Sequence, residues 1–152
     1  MTTQIDKKTQ GHIVVGVDGS ESSKAALRWA AQLAPLADGT IEAVIAWEYP
    51  TLPIWEGGIG IPNGWPLEDG AKKILKEVLA DVFGKTLPKG LVSSVRQGHP
   101  AAVLLEASKN AKMLIVGSRG HGGFVGLLLG SVSSACVKHA TCPVLVVHGE
   151  HI

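Results

Sequence analysis

Cysteine is almost absent: Cys136 and Cys142 are the only two in 152 residues. Their neighbours offer no metal-ligand spacing, and so few thiols suit a reducing compartment. Both read as small structural side chains. No apolar run approaches the roughly 18 residues that a membrane span needs. The opening MTTQIDKKTQG has no apolar stretch of the kind a secretory leader carries. These absences lead to the expectation of a cytoplasmic protein. Excess charge is missing too: 14 Lys and Arg against 13 Asp and Glu leave +1. There is no basic block and no basic–aromatic alternation, so neither nucleic acid nor a membrane is an expected partner. The histidines at 12, 99, 139, 148 and 151 form no close pair on one element, and no metal site is assigned to them.

What the chain does have is apolar content, 45% of its residues, enough for one globular domain with a real core. Five short apolar runs read as strands: His12 to Val17, Thr40 to Trp47, Leu91 to Gly98, Met113 to Val116 and Pro143 to His148. Four segments between them read as helices. The first follows Ser20 or Ser22 as cap, with Ala26, Leu27, Trp29, Ala30, Leu33 and Ala34 as its apolar face, and stops at Pro35 and Gly39. The second runs from Leu67 to Phe83, with Leu67, Ala71, Ile74, Leu75, Val78, Leu79 and Val82 on one side. The third starts at Pro100 and runs to about Ala107, and the fourth spans Ser131 to His139. Strands that are apolar throughout and alternate with helices predict a parallel sheet covered on both faces, an α/β doubly wound fold. Pro50 to Pro66, with four prolines and four glycines, can be neither helix nor strand, and is a candidate lid carrying Trp55 and Trp65. Residues 1–11 and 150–152 read as tails around one domain, 12–149.

Ligands in such sheets sit at the carboxyl ends of the strands, where the strand order reverses. Attention therefore falls on VDGSES after the first strand and GSRGHGG after the fourth. From Gly117 to Gly130, six of fourteen residues are glycine. Neither familiar phosphate fingerprint fits. No lysine follows a glycine as G-x-x-x-x-G-K demands, and Val125 stands where G-x-G-x-x-G needs its last glycine after Gly120 and Gly122. What remains is chemistry of the main chain. Gly117 and Gly120 permit a sharp exit from a buried strand, and Gly130 lets an anion approach the backbone. Ser131 and Ser133 then open a helix whose free N–H groups and dipole favour negative charge. Arg119 is the one full positive charge in the segment, and His121 a partial one.

Gly117-x-x-Gly120, nine residues, then Gly130-Ser131 is the G-2x-G-9x-G-(S/T) spacing of ATP-binding universal stress proteins. IVVGVDGSESSKAALRWAAQLA resembles that family's opening strand and helix, and LIVGSRGHGGFVGLLLGSVSSACVKHATCPVLVV its closing third. Lys112 departs from the family's usual Asp before the fourth strand. The resemblance implies a strand order 3-2-1-4-5. It implies an acidic residue near ribose and metal, matched by Asp18, which makes Asp18 the candidate Mg²⁺ ligand. It also implies that backbone near Ala46 or Trp47 holds the adenine. The candidate site thus takes in Gly16, Val17 and Asp18; Ala46 and Trp47; Val116, Gly117, Arg119, Gly120, His121 and Gly122; and Gly130, Ser131, Val132 and Ser133. Read from the residues alone, Asp18 is equally a turn or cap residue in VDGS, and Trp47 equally a core side chain.

The expected function is a cytosolic ATP-binding regulatory protein, with stress response supplied by the resemblance. A slow ATPase or adenine-nucleotide hydrolase is the alternative from another class, and cyclic AMP the alternative ligand. No catalytic residue is assigned, because the glycine segment carries no Asp or Glu to position water. The sequence points to no downstream protein. The strand Val144 to Val147 is apolar on both faces and would lie at the sheet edge in the implied order, so a homodimer through it is expected.

Overall fold

The computed structural model describes residues 12–37, 39–49, 67–119 and 129–149. The two expected tails, the Pro50–Pro66 stretch and Gly120, His121 and Gly122 lie outside the described residues. Five strands, β1 (Ile13–Gly16), β2 (Ile41–Trp47), β3 (Val92–Gln97), β4 (Met113–Gly117) and β5 (Val144–Val147), form one sheet in the order β3-β2-β1-β4-β5. All pairings are parallel. The helices are α1 (Glu21–Leu33), α2 (Leu67–Phe83), α3 (Pro100–Ala107) and α4 (Ser131–His139), with a short 3₁₀ turn at Pro35–Ala37. Among the described residues no helix is long and apolar enough to cross a membrane.

Strand side chains alternate between faces, and each face has its own core. Ile13 and Val15 of β1, Ile41, Ala43 and Ile45 of β2 and Ile115 of β4 pack with α1 and α2 residues such as Leu27, Ala30, Leu75 and Val78. Val14, Val44, Leu114 and Val116 pack on the other face with Val103 and Leu104 of α3 and Cys136 of α4. Burial raises the Cys136 thiol to about 11, with the nearby Cys142 thiol adding to the shift. Near the start of β2, the His12 imidazole at 3.9 Å and the Arg96 guanidinium at 3.1 Å hold the Glu42 carboxyl below its ordinary range, against the opposing effect of its partial burial.

The helix starts are built as the sequence implies. Ser20 caps α1, its hydroxyl accepting from the Ser23 amide. Pro100 occupies the first turn of α3, and His99 caps it through Nδ1, which accepts from the Ala101 N–H at 3.3 Å. Two side chains expected on buried faces are not there. Trp29 is 48% exposed and Ile74 40%. Small residues complete the buried stripe of α1 instead: Ser22, Ser23, Ala25, Ala26 and Ala30 lie beneath it with Leu27. They let the helix sit close to the sheet, and an indole at the flank is excluded from so narrow a gap.

This arrangement sets an order of stabilities. Leu27 is fully buried, so Leu27→Ala should lower the unfolding free energy by about 2–5 kcal/mol. Trp29→Ala, although it removes far more carbon, should cost less than about 1 kcal/mol. Urea unfolding of the two variants checks the order.

Candidate functional site

β1 lies at the centre of the sheet, with β2 on one side and β4 on the other, so the chain reverses its winding direction between β1 and β4. There the strands part. Pairing of β1 with β4 ends at Val15 and Ile115, whereas pairing with β2 continues to Gly16, and the Val17 N–H reaches the Val44 carbonyl at 2.8 Å. A crevice therefore opens at the carboxyl ends of β1 and β4, the place where such sheets bind ligands.

Three segments border it. In the first loop, Asp18 Oδ1 accepts from the Ser20 amide at 2.8 Å, and Gly19 between them has φ +86°. That is a compact side-chain turn, and among the described residues no donor takes the second carboxylate oxygen. The turn also flanks a cleft of about 360 Å³ that Ile74 and Val78 of α2 help to line. Lys24, close by, is not a spare cation. Asp81 at 3.0 Å and Glu21 at 3.2 Å hold its ammonium, and hydrogen bonds to Asp81 and then Glu21 raise its pKa.

The second segment is the end of β2. The Trp47 carbonyl is taken by the Gly98 N–H at 2.8 Å, and its ring stacks edge-on with Tyr49 at 5.4 Å. Ala46, one residue back, directs its backbone groups to the opposite side of β2. That is the β1 side, beyond the last bond between the two strands.

The third segment joins β4 to α4. Ser118, 97% buried, is its pin. Its N–H donates to the Val147 carbonyl at 2.8 Å, and its own carbonyl accepts from the Gly130 N–H at 2.6 Å and from Ser133 Oγ at 3.1 Å. The two ends of the glycine segment, far apart in a linear reading, are thereby side by side. Gly130 caps α4 without a side-chain hydrogen bond. Among the described residues, no acceptor takes the N–H groups of Ser131, Val132 or Ser133. The first turn of α4 thus presents N–H donors that no described residue takes, and the positive end of its dipole, beside the crevice. Ser131 is exposed there, Val132 half-buried, and Ser133 buried with its hydroxyl spent on the Ser118 and Gly130 carbonyls.

The strand-end glycines have a reason that the sequence does not disclose. A Cβ on Gly117 would run into Ser22 at the start of α1, with Ser22 Cβ and its backbone carbonyl carbon both 2.8 Å away. A Cβ on Gly16 would meet Leu104 of α3 at 2.7 Å on the opposite face. Each glycine lets a helix press against the end of its strand. Ser22 itself donates to the Arg119 carbonyl at 2.6 Å, tying α1 to the backbone of the site. Of the candidate residues, Val17 and Val116 are buried floor and Arg119 is exposed at the rim. Ser22 and Ser118 were not among the candidates. The only signal for them is their place in the serine-rich SESS and in GSRG, which reads equally as capping.

A family model described as the universal stress protein family matches residues 10–148. The chain belongs to the universal stress protein family. A universal stress protein of Mycolicibacterium smegmatis is 37% identical over 152 residues, covering 96% of this chain and 51% of that protein. The chain spans about half the length of the curated relatives it matches. A universal stress protein solved in complex with cAMP superposes with a TM-score of 0.67 at 26% identity, over 91% of this chain and 97% of that one. A universal stress protein family protein from Arabidopsis thaliana with AMP bound superposes with a TM-score of 0.61 at 22% identity, over 91% and 92%. This universal stress protein domain therefore shares the fold of its structural relatives.

The two strand-end glycines should respond differently to alanine. Gly117→Ala meets backbone of α1 and should destabilise the fold by about 1–3 kcal/mol. Gly16→Ala meets only the end of a leucine side chain that can turn away, and should cost clearly less. Chemical unfolding of both variants, without added nucleotide, measures the difference.

Proposed function

We propose that this domain binds an adenine nucleotide in the crevice between the ends of β1 and β4, and that the bound nucleotide sets its interaction with a downstream partner. One observation carries the reading. The uncapped first turn of α4 is held against the end of β4 by the Gly130–Ser118 bond, beside the point where the sheet opens. Backbone N–H groups and a helix dipole at that point form a site for phosphate. The relatives solved with cAMP and with AMP support the adenine nucleotide as the ligand class. Ala46, with its backbone groups on the open side of β2, suits the adenine edge better than Trp47, whose carbonyl is already engaged. Arg119 supplies the cation at the rim.

The G-2x-G-9x-G-(S/T) spacing favours ATP. The open Asp18 oxygen suits a magnesium ion, which would neutralise phosphate charge when bound. We read the site as binding rather than hydrolytic, since Asp18, the one acid in the candidate set, is committed through Oδ1 to the Ser20 amide. The cAMP complex of a relative 26% identical favours a second reading, in which the cyclic nucleotide is the ligand.

Calorimetry with ATP, cAMP and adenosine tests these readings. ATP should bind more tightly than adenosine, and Arg119→Ala should weaken ATP by about 10- to 100-fold, as a lost charge-assisted hydrogen bond does, while leaving adenosine nearly unchanged. Equal losses for the two ligands would remove Arg119 from the phosphate site. Preferred displacement of ATP by cAMP would favour the second reading.

The homodimer expected from β5 belongs to the same proposal. β5 is a sheet edge with no charged residue, and Val144, Leu145 and Val146 are only half-buried. A second copy pairing antiparallel about a two-fold axis closes that edge without forming a fibre. Sedimentation at micromolar concentration should give a dimer, and Val146→Pro, which removes a ladder donor, a monomer or an unfolded chain. A strictly monomeric parent protein would refute it.

A further inference from the structure

The opposite edge of the sheet has a different character. Among the described residues β3 pairs with β2 alone, so alternate N–H and C=O groups along Val92–Gln97 face outward. Its Ser93 and Val95 side chains point to the α2 face, in register with Ala43 and Ile45, and Ser94 and Arg96 point to the other. On the α2 face a groove of about 440 Å³ runs between the strand and the helix. Its floor is aliphatic, with Leu75, Leu79, Leu87 and Val95, and Leu87 is 46% exposed. Its rim carries Lys72, Lys76 and Lys85. Lys72 is held loosely by Glu68 at 3.6 Å, and no carboxylate among the described residues pairs with Lys76 or Lys85. On the other face, Arg96 places one nitrogen on Glu42, at 3.1 and 3.2 Å, and Nε on Ser94 at 3.0 Å. That leaves guanidinium donors toward the edge.

We infer that β3 is a docking edge for an extended acidic segment of a partner protein, which adds to the sheet as a sixth strand. Three features converge on that occupant. The edge offers main-chain hydrogen bonds along a strand of six residues. The groove takes aliphatic side chains from every second residue of an added strand. The charge on the groove face is basic, from the lysines, and Arg96 on the other, though paired with Glu42, keeps spare N–H donors, so carboxylates on the remaining positions are drawn in. A second copy of this chain is a poor occupant: two-fold pairing through β3 sets Arg96 and the lysine rim against their own equivalents. The lysines stand on α2 and its exit rather than on the strand, so they leave the aliphatic floor open instead of blocking the edge.

The probe is an acetylated, amidated octapeptide in which valine alternates with glutamate, titrated into the isotope-labelled chain. Amide shifts and slowed hydrogen exchange should appear along Val92–Gln97. The double variant Lys76→Glu, Lys85→Glu should weaken binding at least about fivefold, and added salt should do the same to the parent protein. The amide spectrum of the variant reports whether its fold is intact. Adenine-nucleotide affinity should be unchanged in it, since neither lysine borders the crevice. Absence of shifts at millimolar peptide would overturn the proposal. So would equal binding of a peptide with lysine in place of glutamate. Shifts confined to the groove, reproduced by decanoate and lacking protection along β3, would overturn it in favour of a small anionic amphiphile.

Discussion

The close packing of Ser22 on α1 against Gly117 at the end of β4 governs most of what surrounds it. A parallel sheet buries both faces only if its helices lie flat against it, and the narrow stripe of serine and alanine on α1 allows this. Contact at that distance leaves no room for a side chain on Gly117. It also brings the Ser22 hydroxyl within reach of the Arg119 carbonyl, so the chain leaving β4 has its direction set from the α1 side. From the other side Ser118 receives α4 through two hydrogen bonds. The first turn of α4 is therefore positioned by packing and by hydrogen bonds to Ser118.

The fold was largely legible, because its signals are periodic and local. Five apolar runs, four helical stripes and their punctuation by Pro35, Gly39 and Pro100 define the elements, and strict alternation implies the parallel sheet. The candidate site was legible as two stretches of chain. The G-2x-G-9x-G-(S/T) spacing marks two backbone segments that the Gly130–Ser118 bond does bring together. What remained hidden depends on distance through space. Trp29 fits a helical stripe as an apolar residue but is too large for the gap that α1 leaves. Gly117 reads as a phosphate glycine, and its tightest constraint is a helix more than ninety positions earlier. Ser118 looks like loop chemistry and is a buried junction. Asp18 held two readings in the sequence, and the Ser20 amide bond makes it a turn residue while leaving an oxygen available.

The two edges of the sheet divide the labour that an open sheet must solve. β5 carries Val-Leu-Val-Val and no charge. β3 carries Val-Ser-Ser-Val-Arg-Gln beside a groove rimmed by lysines. The same backbone geometry thus presents one uncharged apolar border and one flanked by cations, with the crevice between β1 and β4 inside the sheet.

Cys136 lies on the inward side of α4, fully covered, with its thiol raised to about 11. At neutral pH only roughly one molecule in ten thousand carries a thiolate there. Alkylating reagents attack the thiolate, so they reach this sulfur almost solely in molecules whose last helix has lifted from the sheet. The rate at which Cys136 is alkylated, set against that of the half-buried Cys142, is then a clock for the opening of α4. A nucleotide bound across that segment would slow the clock.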